Sequence, residues 1–285
     1  MSGDVVHFQG LLANVDETIR EVDFGAGVTV KAVPAKECQG WGMDPDYHPQ
    51  LVSDHQIFIL ESQVDLGPTN DHPSGLVYKA TSGLMQRIRL MRLFREGNID
   101  LAGIKAWVTD KWRFQGLALG HTIDRQRFIL HEDELEPLRS FLSSTSWPFV
   151  SKEANLAFEY FELSYMTMSP NMAFVPLVTA LEVMLSDGGA EKTYRVSRNA
   201  AILLATDRQG ASVAFRDIKT LCDKRGRLVH DGKKVTREDI LLLRDYVRRL
   251  LKLLVKDRVS KKHLLAVLDT LGFGDKLPTD LRETL

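Results

Sequence analysis

Two kinds of hydrophobic periodicity run along the chain. Up to about residue 130, apolar positions come in short, β-branched runs bounded by Gly, Pro and Asp clusters, the pattern of strands and turns. Residues 27–33 alternate and residues 55–61 form an apolar run, so each predicts a strand. The stretch GWGMDPDYHPQ at 40–50 reads as an exposed, turn-rich loop. Leu84, Met85, Ile88, Met91 and Phe94 fall at helical spacing and predict an amphipathic helix over 84–95, closed by Gly97-Asn98. Strands are expected at 99–109 and 126–130. His131-Glu132-Asp133-Glu134 then opens a short helix to about Leu142, its acids at the positive end of the helix dipole.

Beyond SSTSWPF at 143–149 the period is helical. Helices are predicted at 152–167, 172–186, 191–206, 212–229, 237–256 and 260–271. Ser169-Pro170-Asn171 separates the first two, Asp187-Gly188-Gly189 ends the second, and Thr236 with Asp239 three residues on starts the fifth as a variant capping box. The expected fold class is α+β. A mixed, β-rich N-terminal domain over 1–145 precedes an all-α helical bundle over 150–258, with a short C-terminal helix and tail over 259–285.

Composition removes several classes of function. No run of 18 apolar residues occurs, so no membrane-spanning helix is expected. The start, MSGDVVHFQG, has neither a basic nor an apolar segment, so no secretory signal is expected. Cys38 and Cys222 are far apart and form no metal-ligand spacing, which argues against a disulfide framework and for a cytoplasmic location. His48, His55 and His72 lie near turns with Trp41 and Tyr47, but their irregular spacing favours scattered surface residues over a metal site. No cofactor is expected: neither G-x-G-x-x-G nor G-x-x-x-x-G-K occurs, so a phosphate-cradling loop has no support.

The net charge of −1 conceals a segregation. Residues 190–262 hold 20 Lys/Arg against 9 Asp/Glu, a net +11, and the remainder carries −12. Two readings stay open: a segment that attracts a polyanion, or a solvated basic face docking on the acidic half of the same protein.

Some charges sit on apolar rows. In the fourth bundle helix the row runs Phe215, Ile218, Cys222, Arg225, Val229, so Arg225 interrupts the core stripe. Glu182 lies beside the stripe Val178, Leu181, Leu185 of the second helix. Because an unpaired charge on a core face is costly, the two are expected to pair, either as a structural salt bridge or to hold a catalytic arginine. Arg195 and Arg198 precede the apolar run of 200–205 and point either into a shared polar site or into solvent.

His230 precedes Asp231-Gly232, a turn signal, and would either cap the helix C-terminus or act as a general base or acid. An arginine and a histidine together suit RNA cleavage through the 2′-hydroxyl, which needs proton transfer and a cation on the charged transition state, without a metal. The spacing alone has little weight. With 21 Arg and 8 His, about two chance pairs with four to six intervening residues are expected, and three occur: Arg125/His131, Arg225/His230 and Arg258/His263. Of these, Arg225/His230 alone combines a helix junction with an arginine on an apolar face.

The C-terminal region resembles the HEPN (higher eukaryotes and prokaryotes nucleotide-binding) superfamily, in particular the Apea-like HEPN group. The likeness rests on LAFEYFELSY at 156–165, FVPLVTALEVMLS at 174–186, TYRVSRNAAILLA at 193–205 and CDKRGRLVHDGKKV at 222–235. It covers about 150–256 well and 84–142 loosely, where IRLMRLFREGNI at 88–99 resembles a segment often preceding the domain. The resemblance implies a helical bundle that commonly homodimerises, setting two Arg-x4-6-His motifs face to face, and a metal-independent RNase acting on RNA, often in defence or as a toxin. On that basis Arg225, His230 and Glu182 are the catalytic candidates, and Arg195, Arg198 and Arg227 the phosphate contacts. Gly226 departs from the polar residue frequent after the arginine in active members. The resemblance equally admits a non-catalytic dimerisation or ligand-sensing module with a structural Arg225–Glu182 pair.

Overall fold

The computed structural model describes residues 5–25, 27–65, 73–108, 112–117, 126–167, 169–255, 259–279 and 281, with side chains 64, 73, 74, 76, 79, 80, 112, 117 and 230 outside the description. The chain is α+β: an antiparallel sheet in the N-terminal part precedes a helical C-terminal part. One compact unit reaches to Ser144 and another starts at Thr145.

The sheet has the order β2-β3-β1-β4-β5, from β1 (Val5–Ala13), β2 (Thr29–Pro34), β3 (Gln56–Asp65), β4 (Asp100–Val108) and β5 (Trp112–Leu117). The predicted strands at 27–33, 55–61 and 99–109 correspond to β2, β3 and β4. The central strand, β1, and the edge strand, β5, were not singled out by pattern. Alternation along β1 buries Val6 and Phe8 and leaves His7 and Gln9 half-exposed. The buried side meets α1 (Pro73–Phe94), where Val77 joins Val6, Ala106 and Val108 in one cluster. This helix extends eleven residues before the predicted start at 84.

The other side of the sheet is covered at one end by residues 35–52. The expected exposed loop at 40–50 is therefore corrected: Trp41 and Met43 are buried, with Cys38 and Leu51, against Leu11, Ile57 and Ile59. Apolar side chains between polar turn residues supplied this lid. The expected strand at 126–130 reduces to one bridge, Val15 to Phe128, because the chain turns at Asn14, which has a positive φ of 57°. Gly97 packs on that bridge so closely that a Cβ would lie 2.5 Å from the Phe128 Cα. Helix α2 (Leu135–Ser144) follows and sets Phe141 against Phe94, centroids 5.7 Å apart.

The helical unit comprises α3 (Lys152–Leu163), α4 (Pro170–Leu185), α5 (Lys192–Leu204), α6 (Arg208–Asp231), α7 (Arg237–Leu254) and α8 (Lys261–Thr270). Capping determines its joints. Ser151, Asp207, Thr236 and Ser260 each accept a backbone N–H at their helix start, and Thr236 with Asp239 completes a capping box. Gly232 ends α6 in the left-handed conformation. Buried in the bundle is a polar group that periodicity did not reveal. Arg244 Nε donates to Ser164 Oγ at 3.2 Å and its guanidinium lies 3.9 Å from the Tyr165 ring centroid. One turn on, Arg248 Nη2 donates to Tyr165 Oη at 2.9 Å. These contacts compensate the cost of burying both cations. No helix among the described residues is long and apolar enough to cross a membrane.

Candidate functional site

The C-terminal half of α6 carries the arginine and the histidine. Ala211, Ala214, Ile218, Leu221 and Cys222 are buried, and there the apolar stripe stops. Arg225 and Gly226 are half-buried, whereas Arg227 and Val229 are exposed, Val229 by 57%. Arg225 therefore sits at the edge of the core.

Arg225 Nε is buried without a hydrogen-bond partner, and among the described residues the side chain makes no hydrogen bond or salt bridge. The expected pairing with Glu182 is corrected. Glu182 on α4 accepts from Lys192 Nζ at 2.6 Å, the first residue of α5 satisfying the charge. Both candidates nevertheless act on the same neighbour. The Cys222 thiol is pushed up to about 12, chiefly by burial, then by the carboxylates of Glu182 and Asp223, with Arg225 and Lys192 pulling the other way. Glu182, Lys192 and Arg225 thus lie within electrostatic reach of Cys222.

His230 is the penultimate residue of α6, and its side chain lies outside the described residues. Five residues along a regular helix turn the chain by about 140°, so Arg225 and His230 occupy different sides of α6. Beside Arg225, Gly226 leaves open space: a Cβ there would meet no atom within 4 Å.

The other arginines divide by what they touch. Arg195 Nη1 lies 2.8 Å from Asp187 Oδ1, and Nη2 lies 3.6 Å from Asp269 Oδ2. The N–H of Gly189, followed by the charge of Arg195, holds the Asp187 carboxyl below its usual range against some desolvation. Arg198 Nη1 donates to the Leu268 carbonyl at 2.9 Å and Nη2 to the Leu271 carbonyl, so it closes the C-terminus of α8. Arg227 is solvent-exposed. The structure thus leaves Arg225 and Glu182 unpaired with each other but within electrostatic reach of Cys222, while Arg195 and Arg198 serve the α8 side of α5.

Lys192 is the member of this group that sequence reasoning missed. Its position after Asp187-Gly188-Gly189 at a helix start gave no local sign of the acid it would meet. Among the described residues no group of three or more His, Cys, Asp and Glu is placed to hold a metal ion. His72, Arg125 and Arg258, which belong to the metal and Arg/His candidates above, lie outside the described residues. No family model, curated protein or solved structure matches the chain.

Proposed function

We propose that this protein is a HEPN-type, metal-independent endoribonuclease of defence or toxin type, acting on RNA as a homodimer. The observation that carries the reading is Arg225: a half-buried guanidinium with an unpartnered Nε, five residues ahead of His230, in a segment of net +11. Donors at the edge of a core are normally satisfied, so a guanidinium left open is available to an anion.

In the reaction, the 2′-hydroxyl attacks the adjacent phosphorus and the 5′ oxygen leaves. His230 takes or returns the proton, and Arg225 meets the charge that grows on the non-bridging oxygens. Because the two residues occupy different sides of α6, a second copy of the chain supplies the complementary histidine. Arg227 is the auxiliary phosphate contact that solvent can reach. Arg195 contributes only if it exchanges its aspartates for phosphate, and Arg198 only by releasing α8.

The non-catalytic reading draws on Gly226 and on the internal engagement of Arg195 and Arg198. It expects Arg225→Ala to weaken dimerisation or stability and His230→Ala to be silent. Incubation of the full chain with single-stranded RNA and transfer RNA in EDTA separates the two. Cleavage lost in both Arg225→Ala and His230→Ala supports the nuclease, and absence of any cleavage that depends on both residues overturns it.

A further inference from the structure

The solvent face of the N-terminal sheet carries a second pattern. Directly paired residues of antiparallel strands project to one face. The register therefore lays out a row across four strands: Gln63 on β3, His7 on β1, Trp107 on β4 and Arg113 on β5. The next row on the same face holds Glu61, Gln9, Lys105 and Gln115. The lid of residues 35–52 stops at Trp41, whose ring lies 4.2 Å from Lys105 Nζ and whose carbonyl accepts from Gln115. Beyond that border lies a hollow of about 420 Å³, bounded by His7, Gln9, Glu61, Gln63 and Trp107.

We propose that this open face binds single-stranded RNA, with a base stacked on the Trp107–His7 pair and a phosphate on Arg113. The two rings are stacked, 5.4 Å apart and inclined by 10°, and present π surface that suits any base. Gln9 and Gln63 each offer a donor and an acceptor for base edges. Charge supplies the third argument. Residues 1–144 hold 14 Lys/Arg against 20 Asp/Glu, yet the position beside Trp107 is occupied by an exposed arginine, with Lys105 one row away. Among the described residues Arg113 has no hydrogen bond or salt bridge, and Glu61 is neutralised by Lys31 and bonded to Gln9. Asp65, at the far rim of β3, is the remaining carboxylate on this face among the described residues. A neutral saccharide would use the rings and amides but leave Arg113 idle, and an extended peptide would add to a sheet edge rather than lie on a face.

The site belongs to the N-terminal unit alone and does not depend on Arg225 or His230. The test uses the full chain and a labelled, uncleavable 2′-O-methyl single strand of about 12 nucleotides, followed by fluorescence anisotropy. Trp107→Ala is expected to weaken binding about tenfold, the loss of one stacked base. Arg113→Glu and His7→Ala are each expected to weaken it several-fold, and these surface changes keep the test readable where Trp107→Ala disturbs folding. Binding within twofold of the unaltered protein for both Arg113→Glu and His7→Ala overturns the inference. Equal affinity for duplex and single strand, or displacement by a neutral oligosaccharide, overturns it as well. Cleavage measured in parallel on ordinary RNA tells failure of this site from failure of the nuclease reading.

Discussion

Lys192 Nζ and Glu182 Oε2 lie 2.6 Å apart, joining α4 to the start of α5, and among the described residues Arg225 has no acidic partner. The lysine side chain is 43% exposed and the glutamate 19%, so this is a pair at the rim of the core. Glu182→Gln is expected to lower stability by no more than about 1 kcal/mol, read from urea denaturation. It is also expected to leave RNA cleavage within a few-fold of the unaltered protein. Abolished cleavage at unchanged stability would mean that Glu182 does orient Arg225.

Arg198 closes the last turn of α8 through the carbonyls of Leu268 and Leu271. Arg198→Ala leaves those acceptors without their charged donor and is expected to cost about 1.5–3 kcal/mol. The loss is expected to be local: hydrogen exchange at Leu264, Leu265 and Leu268 accelerates before that of α4. Uniform acceleration across the bundle would contradict this.

Gly226 is a helical glycine with open space around it. Gly226→Ala meets no atom and removes the conformational freedom of the unfolded glycine, so it is expected to raise stability by about 0.5–1 kcal/mol. A higher denaturation midpoint with unchanged slope checks this. A fall in stability would show that the space is filled in solution.

Cys222 links stability to alkaline pH. Its thiol titrates near 12 in the folded protein against a normal value of 9.0. Between those values the unfolded chain releases a proton that the folded chain keeps, so stability falls as pH rises, by up to about 1.4 kcal/mol per unit. Cys222→Ala is expected to flatten the slope of unfolding free energy against pH. The difference is cleanest below pH 10.0, where Tyr246, itself pushed up to about 12 by burial, does not yet contribute. Cys38, raised chiefly by burial, adds a slope of the same sign.

How much could be read from the chain varies with the range of the interaction. Thr236 with Asp239, Asp231-Gly232 and the apolar rows of α4 and α7 act over one or two turns, so their residues announce the helices and their ends. Strand β1, by contrast, takes its central place from partners at 59–65 and 100–107, and no local pattern encodes that pairing. Arg198 and Arg225 show the same limit at the candidate site. Both lie on helices beside apolar positions and look alike in sequence. Arg198 meets carbonyls some seventy residues away, whereas Arg225 lies where α6 outruns the core and Lys192 has already taken Glu182. Local periodicity determined the helices and their caps, because backbone hydrogen bonds within a helix are short-range. Which charges are satisfied depends on packing between distant segments, and only the tertiary structure decided that.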